Sequence, residues 1–75
     1  MPAATANHRF SPLALRRRRL GNGQTREQLA FALRVTFVTV GNWERGETVP
    51  SANNVARLAA ALEVGIADLF EPVDE

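Results

Sequence analysis

The sequence predicts an all-α fold, a compact bundle of five short helices, and three observations support this prediction. Apolar residues recur at helical spacing in several segments, most clearly at Val55, Leu58, Ala59 and Leu62. Residues that favour helix N-caps precede those segments, and Gly follows several of them. No segment alternates apolar and polar residues over the length of a strand, so no sheet is predicted.

The first ten residues lack an apolar period and are rich in Ala, Thr and Asn. We therefore expect residues 1–10 to form a flexible arm. The first helix is predicted over about 12–20, because Ser11 can cap it and Pro12 suits its first position. Its apolar side is expected to comprise Leu13, Leu15 and Leu20.

Two more short helices are predicted, separated by a very short connection. The second, over about 25–33, begins with Thr25 three residues before Gln28, which is the spacing of a capping box. The third, over about 36–45, is capped by Thr36 and followed by a Gly. The residues expected to face the core are Leu29, Ala30, Ala32 and Leu33 in the second helix and Val40 and Trp43 in the third.

A fourth helix over about 52–62 and a short fifth helix near 66–70 complete the predicted bundle. The folded domain is expected to span 11–71, and 72–75 to form an acidic tail. A single domain in a chain of 75 residues has a marginal core, for which dimerisation is a common remedy.

Composition argues against several classes of site. The chain has no Cys and a single His, His8, so we expect no metal site, and it has no Lys or Tyr for catalysis. Asp68 and Glu71 are more typical of solvated acids at a helix end than of a catalytic pair. We therefore predict no enzyme, no cofactor and no membrane segment; the lack of Cys fits a reducing cytoplasm.

Charge is divided between the two halves of the chain. Eight of the nine basic residues, all Arg, fall within residues 1–45 against two Glu, which gives that half a net charge of +6. Residues 46–75 hold one Arg against six acids, a net charge of −5. This division indicates one face directed to a polyanion and another directed away from it.

The second and third helices are joined so tightly that they must cross at a large angle, as in a helix-turn-helix. The third can then enter a major groove while the second crosses the backbone. The run "TREQLAFALRVTFVTVGNWERGETVPS" resembles the helix-turn-helix of lambda-repressor-like transcriptional regulators of the Cro and Xre type. "LAAALEVGIADLF" resembles the family's fourth and fifth helices, so the resemblance covers about 11–70.

The resemblance implies roles for individual residues. Arg19 and Glu44 match positions that often form an internal ion pair. The residues expected to contact phosphates are Arg16, Thr25, Arg26, Thr36 and Arg45. The residues expected to read bases are Phe37, Val38, Thr39, Gly41 and Asn42. Two departures stand out, because the family usually has Gly at Arg34 and polar readers where this chain has Phe37 and Val38.

The apolar reading face keeps two hypotheses open. The first is a sequence-specific DNA-binding regulator, bacterial or phage, that binds operator DNA as a homodimer in the cytoplasm, associated with the nucleoid when bound. Its dimer interface is expected at Ile66, Leu69, Phe70 and Val73, although these residues could instead close the monomer core. The second is a protein-interaction module that docks a protein partner on Phe37 and Val38.

Overall fold

Four α-helices, one 3₁₀-helix and two short strands make up residues 7–73, the part of the chain that the computed structural model describes. In chain order they are β1 His8–Phe10, α1 Pro12–Gly21, α2 Arg26–Leu33, α3 Phe37–Arg45, α4 Ala52–Leu62, the 3₁₀-helix Ile66–Leu69 and β2 Phe70–Pro72.

Each α-helix begins after a side chain that caps it. The cap side chains of Ser11, Thr25, Thr36 and Ser51 each accept a hydrogen bond from a backbone N–H in the first turn. At α2 the capping box is complete, because Gln28 Oε1 also accepts from the backbone N–H of Thr25. These bonds satisfy N–H groups that the helix leaves without internal partners, so the helix starts are fixed locally.

The core lies where the four α-helices, the 3₁₀-helix and β1 meet. Its buried apolar residues are Phe10, Leu15, Leu29, Ala30, Leu33, Val40, Trp43, Val55, Leu58, Ala59, Leu62 and Leu69. Val40 and Trp43 point inward, as the sequence predicted. On α1 only Leu15 and the stem of Arg19 are buried, whereas Leu13 and Leu20 are more than half exposed, so the predicted three-leucine face of this helix is wrong. Ala32 of α2 is likewise exposed.

The ends of the described chain pair as an antiparallel two-stranded sheet, which corrects the purely helical prediction. Arg9 lies opposite Glu71 and Phe10 opposite Phe70, whose rings meet edge to face with centroids 6.3 Å apart. Strands of three residues are too short to show alternation, and their pairing joins segments 62 residues apart, so no local pattern predicts them.

The boundaries drawn from the sequence change accordingly. Residues 8–10 belong to the folded domain rather than to an arm, because β1 pairs with β2 and Phe10 is buried. The predicted tail begins inside β2, at Pro72. The predicted fifth helix is a single 3₁₀ turn over Ile66–Leu69, which an Asp68 carboxylate caps by accepting from the backbone N–H of Gly65. Residues 1–6 and 74–75 of the predicted arm and tail lie outside the described residues.

Candidate nucleic-acid interface

The connection from α2 to α3 is short and held from both sides. Arg34 ends α2 in the left-handed conformation, with φ 60°, and the backbone N–H of Val35 donates to Ala30 O at 3.0 Å. Arg57 of α4 donates to the last carbonyl of α2, Leu33 O, at 2.6 Å. Ala30 of α2 is buried in the core, where a larger side chain would risk overpacking.

One side of α3 faces away from the core. At about 100° per residue, positions 38, 41, 42 and 45 fall on the side opposite Val40 and Trp43, and position 37 lies at the edge of that side. Phe37 and Val38 are 52% and 54% exposed. We call this outward side of α3, formed by Phe37, Val38, Gly41, Asn42 and Arg45, the reading face.

Gly41 is not an open position on the reading face, which corrects its assignment as a base reader. It is buried because the Arg45 guanidinium folds over it, and a Cβ built at Gly41 would lie 2.9 Å from Arg45 Nη1. The same guanidinium donates from Nη2 to Asn42 Oδ1 at 2.6 Å and from Nε to Glu47 Oε2 at 3.3 Å. The side chain of Arg45 therefore covers Gly41 and orients Asn42.

Thr36 and Thr39 are occupied by capping. Thr36 Oγ1 accepts from the backbone N–H of Thr39 at 3.2 Å, and the two hydroxyl oxygens are 3.0 Å apart. The hydroxyl of Thr39 is thus bound to the cap, and the residue as a whole is half-buried.

Three charged side chains from three helices meet behind the reading face. Arg19 of α1 donates to both carboxylate oxygens of Glu44, at 2.6 and 3.0 Å, and Arg26 of α2 donates to Glu44 Oε1 at 3.1 Å. The side chains of Arg19 and Glu44 are 7% and 1% exposed, whereas that of Arg26 is 40% exposed. We call these three residues the ion triad; it holds the C-terminal half of α3 against α1 and α2.

The ion triad keeps Glu44 ionised. Burial by itself raises the pKa of Glu44, but the hydrogen bonds from Arg19 and Arg26 outweigh it, so the pKa lies below its ordinary value. The bond to Glu44 raises the pKa of Arg19. Two guanidinium groups share one carboxylate, which leaves the triad a net positive charge.

The residues predicted to contact phosphates do not form one cluster. Thr25 is exposed at the N-terminus of α2, and Arg26 beside it keeps its terminal nitrogens available although its Nε is bound to Glu44. Arg16 is exposed on α1. Arg45 lies at the far end of α3, bound to Asn42 and Glu47.

The sequence reading missed two features of this region. Phe31, assigned to no site, is 86% exposed on α2. The arrangement of Arg45 over Gly41 and against Asn42 was also missed, although the spacings of four and three residues along a helix are the signal that predicts such contacts.

The residues assigned to a dimer interface divide between core and surface. Leu69 is 0% exposed and belongs to the monomer core, so its assignment to a dimer interface is wrong. Ile66 is 52% exposed, and Phe70 and Val73 are half-buried. Ile66 and Phe70 line an open, largely apolar groove of about 830 Å³ together with Val49 and Pro50 of the α3–α4 loop.

Comparison with known protein families matches residues 15–69 to a family described as helix-turn-helix, a segment that begins within α1 and contains α2 to α4 and the 3₁₀-helix. The chain belongs to this helix-turn-helix family. The HTH-type transcriptional regulator DicA of Escherichia coli (strain K12) is 37% identical over 49 residues, which are 65% of this chain and 36% of DicA. The chain thus spans about a third of the length of that relative.

Solved structures carry the same helix-turn-helix fold. The restriction-modification controller protein C.AhdI from Aeromonas hydrophila aligns with a TM-score of 0.74 and 34% identity, over 77% of this chain and 88% of that chain. The P22 c2 repressor, solved in complex with a synthetic operator, aligns with a TM-score of 0.76 and 28% identity, over 81% of this chain and 92% of that chain. These named regulators do not favour the protein-interaction hypothesis.

The helix-turn-helix fold also occurs within an enzyme. HppE in complex with substrate aligns with a TM-score of 0.77 and 30% identity, over 84% of this chain but 35% of that chain. The alignment leaves most of HppE unmatched, so it carries the fold and none of that protein's chemistry to this chain. Within residues 7–73, no helix has the length and apolar character needed to cross a membrane.

Proposed function

We propose that this helix-turn-helix domain is a sequence-specific DNA-binding transcriptional regulator that inserts α3 into the major groove of operator DNA. The observation that carries the proposal is the reading face itself, a side of α3 that is turned away from the core. The helix-turn-helix fold that presents it is shared with a repressor solved on its operator. The short connection and the ion triad support it, because they hold α3 rigidly for docking.

Base contacts are proposed for the exposed side chains of the reading face. Phe37 and Val38 carry only apolar atoms, and the apolar feature of the major groove is the thymine methyl group. Asn42 supplies polar contact, and Thr39 can add its methyl group beside Val38. Such a face relies more on methyl contacts and DNA shape than on several hydrogen-bonded readouts.

Phosphate contacts are proposed for Arg16, Thr25, Arg26, Thr36 and Arg45. Thr25 and Thr36 cap the N-termini of α2 and α3, where free backbone N–H groups and the helix dipole favour an anion. The arginines add charge, and contacts of this kind fix the register of the protein on DNA without reading sequence.

Binding by a twofold homodimer is proposed through Ile66, Phe70 and Val73. These side chains stay partly exposed after the monomer core is complete, and the apolar groove beside them gives a second copy a surface to cover. Two copies of α3 would then read a near-palindromic site.

Selection of duplexes from a random DNA pool tests the DNA-binding proposal. The selected duplex should bind at least about a thousandfold more tightly than a scrambled duplex, and its affinity should fall steeply between about 50 and 200 mM salt. Phe37→Ala should reduce that preference, whereas Phe31→Ala, which truncates an even more exposed Phe outside the reading face, should preserve it. Equal binding to selected and scrambled DNA would refute the proposal.

Sedimentation velocity over a range of protein concentrations tests the homodimer. Ile66→Glu should shift the chain to monomer and leave the fold of that monomer intact, because Ile66 is 52% exposed in the monomer. Ala60→Glu, an exposed position on α4, is the matched control and should leave association intact. Association that survives Ile66→Glu would rule this interface out.

A further inference from the structure

Asn42 is the one amide side chain on the reading face, and its oxygen already accepts one hydrogen bond. Arg45 Nη2 donates to Asn42 Oδ1 at 2.6 Å, so the oxygen of the amide is turned toward the guanidinium. An Arg side chain has no acceptor, which fixes the atom it contacts as the amide oxygen rather than the nitrogen. The Nδ2 group, with two N–H donors, is left for a ligand.

Arg45 itself adds only donors. Its Nε donates to Glu47 and its Nη2 donates to Asn42. The N–H groups of Nη1 extend over Gly41 on the outward side of the helix. The polar part of the reading face is therefore a pair of side chains that offers donors, with its carbonyl oxygen held beside a positive charge.

Gly41 is what makes this pair possible. A Cβ at position 41 would lie 2.9 Å from Arg45 Nη1, closer than nonbonded atoms approach, so any other residue would displace the guanidinium. Gly within a helix is unfavourable, and Gly41 lies at the point where the Arg45 side chain packs against α3.

We propose that Arg45, seated over Gly41, turns the amide oxygen of Asn42 toward itself and the amide nitrogen toward the DNA, so that the pair recognises guanine in the major groove rather than adenine. This inference rests on the proposed DNA-binding function. Reading adenine takes an amide oxygen that accepts from N6 and an amide nitrogen that donates to N7, and here the oxygen is turned toward the Arg45 guanidinium, whose N–H groups compete with N6 for it. Guanine presents two acceptors, O6 and N7, and matches a surface of donors.

The proposal changes the expectation for Asn42, because an unconstrained Asn favours adenine. It also gives Arg45 and Gly41 a role in sequence specificity, which they exert through Asn42. Arg45 and Gly41 determine which atoms of Asn42 face the DNA, so each is a positioning residue for the same base contact. Arg45 can contact the guanine directly as well.

Selection from a random duplex pool with the full chain and its variants tests the inference. The contacted base pair is defined as the position whose preference Asn42→Ala abolishes. The unaltered protein should select guanine there, and replacing that guanine by 7-deazaguanine, which lacks the N7 acceptor, should weaken binding about tenfold. Gly41→Ala and Arg45→Ala should each lose the guanine preference, and adenine should become accepted, because the guanidinium then no longer holds Asn42 Oδ1 or competes for it.

Two controls separate this inference from its alternatives. Circular dichroism melts show whether Gly41→Ala is folded, and Glu47→Gln, which removes only the negative charge beside Arg45, should keep the guanine preference. If Arg45 contacts phosphate alone, Arg45→Ala will weaken all sequences equally and reduce the salt slope by about one with the base preference unchanged, which overturns the inference. Selection of adenine by the unaltered protein also overturns it. If no sequence is enriched at all, the DNA-binding function fails with it.

Discussion

Two residues of the helix-turn-helix, in α3 and at the end of α2, are unfavourable for the backbone conformations that they adopt. Gly41 lies in the interior of α3, where Gly is the least favourable residue after Pro. Arg34 holds a left-handed conformation with φ 60°, which L-residues with a side chain adopt at a cost. A suitable substitution at either position should therefore raise the stability of the protein, whereas most substitutions lower it.

Gly41→Ala should stabilise the protein. The added Cβ gains about 0.5–1 kcal/mol of helix propensity, and it meets only the end of the flexible Arg45 side chain. The melting temperature should rise by roughly 2–8 °C in a thermal melt. Gly46→Ala is the control: it should lower the melting temperature, because Gly46 has φ 76°. A lower melting temperature for Gly41→Ala would show that Arg45 cannot move aside.

Arg34→Gly should also stabilise the protein. Relief of the left-handed conformation is worth about 1–2 kcal/mol, partly offset by the greater freedom of Gly in the unfolded chain, about 0.4–1 kcal/mol. Arg34→Ala removes the same exposed side chain but keeps the Cβ, so it should bring no gain. Equal denaturation midpoints for the two variants would contradict the argument from φ.

At the scale of elements, the ion triad joins three helices through one carboxylate. Glu44 of α3 accepts from Arg19 of α1 and from Arg26 of α2. A buried ion pair contributes little net stability compared with an apolar contact, but removal of one member leaves a buried charge without a partner. Glu44 is therefore the residue whose loss removes the ionic contacts of α3 with both neighbours.

Glu44→Gln should destabilise the fold by about 3 kcal/mol. Gln retains the shape of Glu, but it leaves the buried guanidinium of Arg19 uncompensated. Glu47→Gln is the matched control, since Glu47 pairs with Arg45 at the surface, and it should cost less than about 1 kcal/mol. Chemical denaturation at pH 7 measures both values, and equal losses would mean that the burial of the triad has no energetic consequence.

The lowered pKa of Glu44 makes the stability of the fold depend on pH. Because the pKa is lower in the folded state than in the unfolded chain, its contribution is complete above the unfolded value, about pH 4.3, and is lost as the pH falls through the folded pKa. Stability measured from pH 7 to pH 3 should fall below about pH 4.3, with a smaller fall in Glu44→Gln. The hydrogen bond from exposed Arg9 lowers the pKa of Glu71 as well, so Glu71→Gln is measured alongside. Parallel curves for the unaltered protein and Glu44→Gln would contradict this assignment.

The elements also show what local sequence can predict. The four α-helices follow from their caps, since Ser11, Thr25, Thr36 and Ser51 each bond to the backbone within three residues. The strands depend on pairing across 62 residues, for which three-residue segments hold no signal.

The reading face was predictable as a surface from the same periodicity, because inward Val40 and Trp43 define the opposite side of α3. The chemistry of the reading face was not predictable from that periodicity. The orientation of the Asn42 amide depends on the rotamer of Arg45, and the participation of Arg26 in the ion triad depends on how α2 lies against α3. Leu69 and Ile66 could be distinguished as core and surface only once the 3₁₀ turn was placed.

At the scale of the whole molecule, the two ends of the described chain close the fold. β1 pairs with β2, the backbone N–H of Ser11 donates to Leu69 O at 2.8 Å, and that of Val73 donates to Asn7 O at 2.8 Å. The strands thus connect the start of α1, which bears Arg16 and the ion-triad residue Arg19, to the end of the domain, where the dimer interface is proposed. We infer that loss of this closure would weaken the fold as a whole.

Phe10→Ala should test that closure. Phe10 is 7% exposed and packs edge to face on Phe70, so truncation removes core contacts and a ring pair, at a cost of about 3 kcal/mol. Phe31→Ala is the matched control, because Phe31 is 86% exposed, and it should change stability by less than about 0.5 kcal/mol. Urea denaturation of both variants measures the difference. If Phe10→Ala proves as stable as Phe31→Ala, then β1 is an appendage and α1 to α4 form a stable core without it, as the arm expected from the sequence would require.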